Sequence, residues 1–239
     1  MSILVSVLIP TKNRVDLLRR SMASLFDLSD DPGNIEVIVA HDDTDLPSIE
    51  YFSSSKWSTD CSAWGGSCRA LPCPAWGYWE LNRYYNIMAQ QAQGQWFVIW
   101  NDDAVMLTQG WDQHIKKQNN FVGMLHMTTQ NFKPNLTLFP IIPRVWNDLF
   151  GEISHTQITD TWIQNICHEA GAVLEIPVTV LHDRYDVTGN NLDQTYLDRR
   201  YNKKAFNHES MQLLRSQWAQ RLKDYREQTN ASVAMPHQT

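Results

Sequence analysis

Residues 3–9 read Ile-Leu-Val-Ser-Val-Leu-Ile and stop at Pro10, while residues 35–40 read Ile-Glu-Val-Ile-Val-Ala and run into His41-Asp42-Asp43. Both runs are short, apolar and rich in β-branched side chains, the pattern of strands buried on both faces. Between them Asn13 can cap a segment in which Val15, Leu18, Met22, Leu25 and Phe26 recur at helical spacing. Asp30-Asp31-Pro32-Gly33-Asn34 then makes a turn. Strand, helix and strand in this order form a βαβ unit, which requires a parallel sheet.

Outward from this unit the pattern predicts more of the same class. Residues 53–77 carry Ser53-Ser54-Ser55, Gly65-Gly66, Pro72 and Pro74 and read as a long irregular loop. Residues 78–93 read as a helix stopped by Gly94, and residues 96–100 as a third strand ending on Asn101-Asp102-Asp103. Helical spacing returns over 111–118, and strands are expected over 121–127 and 136–142. A short helix over 143–149 would start on proline. A helix over 159–168, strands near 172–175 and 178–181, and a polar stretch over 183–191 follow. Met211, Leu214, Trp218, Leu222 and Tyr225 form the packing stripe of a final helix, and residues 228–239 are expected to fray. There is no internal repeat and no linker, so one α/β domain is expected.

Composition narrows the function. The 239 residues are 43% hydrophobic and 11% aromatic, enough for a core without covalent staples. Twenty basic against 26 acidic residues give a net charge of -6 and no basic stripe, which argues against a nucleic-acid binder. No apolar run reaches the roughly 20 residues of a membrane helix, and the N-terminal stretch lacks a signal peptide's basic flank. The expected location is the cytoplasm. Cys61, Cys68, Cys73 and Cys167 include no Cys-x-x-Cys pair, so reduced thiols are preferred to a zinc site. Trp57, Trp64, Trp76 and Trp79 crowd one stretch, as core or as a surface for a sugar or base.

In open α/β sheets ligands bind beyond the carboxyl ends of the strands. Pro10-Thr11, His41-Asp42-Asp43 and Asn101-Asp102-Asp103 all fall at such ends. The Gly-x-Gly-x-x-Gly turn and the Gly-Lys-Ser/Thr phosphate loop are missing. Adjacent carboxylates offer another way to hold a diphosphate, through a divalent cation, although a bare Asp-Asp reads equally as a solvated turn or cap.

The segment Val5-Ser6-Val7-Leu8-Ile9-Pro10-Thr11-Lys12-Asn13-Arg14 closely resembles the first strand and turn of glycosyltransferase family 2. Residues 35–43 resemble its second strand and acidic end. Asn86, eight residues before Gly94, matches its helix leading to a Gly-aromatic strand. Asn101-Asp102-Asp103 stands where the family carries its Asp-x-Asp metal motif, with asparagine first. The resemblance covers residues 3–110 and extends more loosely to about 183. It implies the GT-A fold: a single Rossmann-like, mostly parallel sheet flanked by helices, over residues 1–227, with a C-terminal helix. It also implies metal-dependent, inverting transfer of a sugar from a UDP-sugar to a hydroxyl of a glycan or other acceptor.

Carried over by position, Pro10, Thr11 and Arg14 would line the nucleotide pocket and Asp42 would hydrogen-bond the uracil ring. His41 replaces an acidic residue often found there. Asn86 would sit near the nucleotide or order the helix beneath it; on its own it reads as a surface amide. Asp102 would face the ribose or a metal-bound water, and Asp103 would ligate the metal. Asp160 stands at the place of the catalytic base, with a helix cap as the competing reading. His182 resembles a late nitrogen ligand to the metal, and a lone histidine is equally a structural one. A mixed oxygen and imidazole shell favours Mn2+ over Mg2+. Arg184 and Tyr185 are candidates for diphosphate contacts.

Three rivals differ in what they require. A glycoside hydrolase needs two carboxyl groups on opposite sides of the bond, which adjacent Asp102 and Asp103 do not supply. A nucleotidyltransferase would carry a Gly-rich, basic loop where this chain has Thr11-Lys12-Asn13-Arg14. A carbohydrate-binding protein would use the aromatic residues but has no need of Asp42, Asp103 and Asp160 together.

Overall fold

Alternation along the strands sorts the core into two layers. Val5, Val7, Ile9, Val37, Val39 and Val98 face one layer, and Leu8, Ile38, Ala40, Phe97 and Ile99 the other. A sheet covered on both faces follows, as period-2 side chains in doubly buried strands demand. The computed structural model describes residues 3–130, 132–194, 196–197 and 208–234. Its elements are β1 (Val5–Thr11), α1 (Val15–Asp27), β2 (Ile35–Asp42), α2 (Leu46–Phe52), α3 (Ser55–Trp64), β3 (Ser67–Cys73), α4 (Leu81–Gln91), β4 (Trp96–Ile99) and β5 (Ala104–Met106). They continue with α5 (Trp111–Lys116), β6 (Met124–Thr129), β7 (Ile141–Pro143), α6 (Val145–Phe150), α7 (Thr159–Glu169), β8 (Val173–His182), α8 (Tyr185–Thr188) and α9 (His208–Ala234). Residues 235–239, the end of the expected tail, lie outside the described residues.

The strand order is β3-β2-β1-β4-β7-β6-β8-β5. β3, β2, β1 and β4 run parallel, as do β6 and β8; β7 and β5 pair antiparallel. The first layer is closed by α1 and α5, and the second by α4, α6, α7 and α9. In the second layer Phe150 stacks on Trp218 at 4.3 Å, which docks the last helix. Gly94 is where the α4–β4 turn presses on β1: a Cβ there would stand 2.4 Å from the Ser6 backbone nitrogen.

The expected loop over 53–77 is instead α3 and β3. Ser54, which reads as a breaker, caps α3 by accepting from the Trp57 N–H, and Gly65 ends it in the left-handed region at φ 76°. Trp57 and Trp64, two turns apart, pack on Phe52 and Phe26, so this half of the tryptophan cluster is core. Pro72 is tolerated because β3 is the sheet edge. The two strands expected near 172–175 and 178–181 are one: Pro177 falls beside the register irregularity between His126 and Thr128 of β6, where a missing N–H is harmless. Pro143 ends β7 rather than opening α6.

Candidate active site

β1 and β4 are neighbours, yet α1 leaves β1 toward one layer while α4 enters β4 from the other. The strand order reverses there, which opens a crevice beyond their carboxyl ends. A cavity of about 400 Å³ fills it. Pro10, Thr11, Lys12 and Arg14 line it from the end of β1, Asp42 from β2, and Asn101, Asp102 and Asp103 from the end of β4. Gly77, Tyr78 and Trp79 form one wall; Leu138, Gln157, Ile158, Thr159 and Asp160 another; His182, Arg184 and Tyr196 the far side.

The floor is a charged cluster drawn from four parts of the chain. Asp102 accepts from Thr11 Oγ1 at 2.8 Å and from Arg14 Nη1 at 3.1 Å. Arg14 Nη1 also lies 3.4 Å from Asp103 Oδ2, and its Nε and Nη2 grip Asp193 in a bidentate pair at 2.6 and 2.7 Å. These carboxylates keep the guanidinium charged despite its burial. Pairing of Ala104 with His182 across β5 and β8 places His182 Nε2 3.0 Å from Asp103 Oδ1. Burial pushes the Asp102 carboxyl well above its ordinary range, against the pull of Arg14. Burial acts on Asp103 in the same sense, but His182, Arg14 and Arg184 outweigh it and hold that carboxyl low.

At the β2 end, Asp42 Oδ1 accepts from Tyr84, and Lys12 Nζ lies 3.0 Å from Oδ2. The Tyr84 hydroxyl also accepts from the Trp76 and Gly77 N–H groups at 3.0 and 3.2 Å, tying the 76–79 wall to Asp42. Burial, then Asp42, raises the Tyr84 hydroxyl above its ordinary value, so it remains a donor. Asp160 opens α7 half-buried at the cavity, and its Oδ1 accepts from the Thr161 N–H at 2.8 Å.

Pro10, Thr11, Arg14, Asp42, Asp102, Asp103, Asp160 and His182 thus share one cavity. Asn86 does not line it. Its Oδ1 accepts from the Ile153 and Ser154 N–H groups at 2.9 and 3.1 Å, and its Nδ2 donates to Ser154 O and Glu152 Oε2 at 3.0 and 3.1 Å. All four hydrogen-bonding positions of the amide are spent on the segment leading to Asp160. Tyr185 stands apart as well, its ring 5.4 Å from that of Tyr196. Sequence reasoning missed Tyr84, Tyr85, Gln157 and Asp193; no local pattern marks them, because each reaches the site through tertiary packing. Trp79 belongs to the tryptophan cluster that the sequence reads as core or as a surface for a sugar or base, and it lines the cavity.

The buried Trp79 Nε1 and His182 Nδ1, both on residues that line this cavity, have no hydrogen-bond partner, and Asp42 Oδ2 and Asp103 Oδ1 meet the nitrogens of Lys12 and His182, each at 3.0 Å. Native proteins leave few buried polar atoms unpartnered, so two on one cavity mark a ligand site. Asn101 Nδ2 lies 3.3 Å from His182 Nε2. In the tautomer with the proton on Nδ1, the one lone pair of Nε2 and those of Asp103 Oδ1 meet 3.0 Å apart, an arrangement a cation relieves. Among the described residues no group of three or more His, Cys, Asp or Glu is arranged around one ion. One carboxylate and one imidazole fit a cation whose remaining ligands are phosphate oxygens and water.

No family model matches the chain, and no curated protein matches its sequence. Solved structures do. The mannosyltransferase PcManGT from Pyrobaculum calidifontis, in complex with GDP-Man and Mn2+, aligns with a TM-score of 0.57 at 13% identity, over 97% of this chain and 76% of that one. S. aureus TarS 1-349 in complex with UDP aligns at 0.54 and 15% identity, over 87% of this chain and 75% of that one. The same protein in complex with UDP-GlcNAc aligns at 0.53 and 12% identity, over 98% and 77%. The chain therefore has an α/β fold shared with glycosyltransferases of the GT-A type. No helix among the described residues is long and apolar enough to cross a membrane.

Proposed function

We propose that the protein is an inverting glycosyltransferase that moves a sugar from a UDP-sugar to an acceptor hydroxyl, assisted by a divalent cation, within one domain that works in the cytoplasm. The observation that carries the reading is the gathering of Arg14, Asp42, Asp102, Asp103, Asp160 and His182 in one cavity at the switch point, with the buried Trp79 Nε1 and His182 Nδ1 left unpartnered there. The glycosyltransferase fold adds to it, since neighbours of that fold bind GDP-Man with Mn2+ or UDP-GlcNAc.

Asp103 and His182 would hold the cation, with Mn2+ favoured over Mg2+ by the imidazole; it would supply positive charge against the negative charge developing on the departing diphosphate. Pro10, Thr11 and Asp42 would bind the nucleoside, Asp102 would face the ribose, and Arg14 would meet the diphosphate with its guanidinium fork. Asp160 would accept the proton of the acceptor hydroxyl. The acceptor oxygen bonds to the anomeric carbon as the bond from that carbon to the diphosphate breaks, its electrons leaving on UDP, so a single displacement inverts the centre. Trp79, Tyr78, Leu138 and Ile158 give the cavity apolar walls that keep water from competing as acceptor.

Calorimetric titration of UDP, with Mn2+ and then with EDTA, tests the reading. Metal-supported binding that Asp103→Ala abolishes supports it. Metal-independent binding removes Asp103 and His182 from their roles, and no binding in either condition refutes the nucleotide site.

A further inference from the structure

Two of the groups that line the cavity are complementary. Asp42 Oδ2 faces the ammonium of the half-exposed Lys12 at 3.0 Å and has a second lone pair to spare, and the buried Trp79 Nε1–H donates no hydrogen bond. The Tyr84 hydroxyl joins them: it donates to Asp42 and receives the N–H of Gly77, two residues before Trp79. Gly77 turns the chain at φ 79° into the 3-10 turn Tyr78–Glu80, so the indole is carried on a short, anchored segment. Its ring is held edge to face against Tyr78 at 5.5 Å. The cavity thus offers a fixed carboxylate with accepting capacity to spare and a fixed indole donor that the protein itself leaves unused.

We infer that Trp79 reads a carbonyl of the nucleobase whose ring N–H is taken by Asp42, and that the pair selects uracil. This rests on the nucleotide-sugar reading above and adds the residue that sets base specificity. The edge of uracil runs carbonyl, N–H, carbonyl. With its N3–H on Asp42 it presents a carbonyl to Trp79 from either side. Guanine offers a carbonyl on one side of its N1–H only. Cytosine turns the N3 lone pair toward the Asp42 carboxylate, and leaving two acceptors facing each other in a buried site is penalised.

Calorimetry with UDP, UDP-GlcNAc, GDP and CDP in the presence of Mn2+, on the wild-type protein and on Trp79→Phe, tests this. Phenylalanine keeps the aromatic wall and removes only the donor. The expected result is UDP bound most tightly by the wild-type protein, with about a tenfold loss of UDP affinity in Trp79→Phe and no change for CDP. Unchanged UDP affinity overturns the inference. So does a loss confined to UDP-GlcNAc, which would assign the indole to the sugar, and so does an equal loss for UDP and CDP, which would reduce it to packing. If the wild-type protein binds no nucleoside diphosphate, the nucleotide reading falls and the inference with it. Titrating the wild-type protein with 2-thio-UDP and 4-thio-UDP keeps the question open to refutation if the variant does not fold. Thiocarbonyls accept weakly, so one analogue should lose about the same factor; neither losing affinity overturns the inference.

Discussion

Replacing Asn86 with alanine separates a residue that binds nucleotide from one that positions the segment leading to Asp160. The side chain makes four hydrogen bonds of 2.9 to 3.1 Å to residues 152–154. Ile153 and Ser154 are fully buried, so water does not replace the amide at their N–H groups. Two orphaned backbone donors at about 1 kcal/mol or more each, with two lost acceptor contacts, amount to about 3 kcal/mol. For a chain of this size that lowers the melting temperature by about 6–12 °C. Urea unfolding followed by tryptophan fluorescence would measure the change, since Trp146 donates to Ile153 O in the same region. UDP affinity, measured well below the transition, should stay within about twofold because Asn86 does not line the cavity. Transfer to an acceptor should fall, since the released segment carries Asp160. Stability within about 0.5 kcal/mol of wild type would refute the hydrogen-bond reasoning. A folded variant that no longer binds UDP would return Asn86 to the nucleotide pocket.

Other perturbations probe the ion pairs around the site. Asp193→Asn should tighten UDP binding a few-fold, because it frees the Arg14 fork for the diphosphate; weaker or unchanged binding in calorimetry would argue that Asp193 orients Arg14 instead. Burial works against Asp183, but hydrogen bonds from Asn190, Thr188 and Arg20 hold its carboxyl down to about 2, against an ordinary 3.8. Its stabilisation, about 2 kcal/mol, should be fully present above pH 4 and disappear as pH falls toward 2. Asp183→Asn should flatten that part of the urea-midpoint profile, and an identical acid limb in the variant would refute the assignment. Asp160→Asn should abolish transfer while leaving UDP affinity intact, and retained transfer would remove it as the base.

Local pattern reached far along this chain, and its failures have specific causes. The β1–α1–β2 unit was legible because strands buried on both faces are apolar throughout and α1 keeps a helical stripe. α3 was not, since three serines mask a cap and its burial comes only from Trp57 and Trp64 meeting Phe52 and Phe26. β5 is too short at three residues to show a period, and it exists because β8 pairs with it.

The amino-acid sequence by itself determined the parallel sheet, the polar residues at its carboxyl ends, and the acidic pair beyond β4, because each is a property of neighbours along the chain. Tertiary structure decided which of those residues meet. The register of β5 on β8 sets His182 against Asp103, and Arg14 spans from Asp102 to Asp193 across the floor of the cavity. Asn86, which sequence position assigned to the nucleotide pocket, is turned to the segment before Asp160 by four hydrogen bonds. Burial and charge then split Asp102 from its neighbour Asp103. Distance in space and exclusion of water, unlike spacing along the chain, are set only when the sheet is closed and its helices are packed.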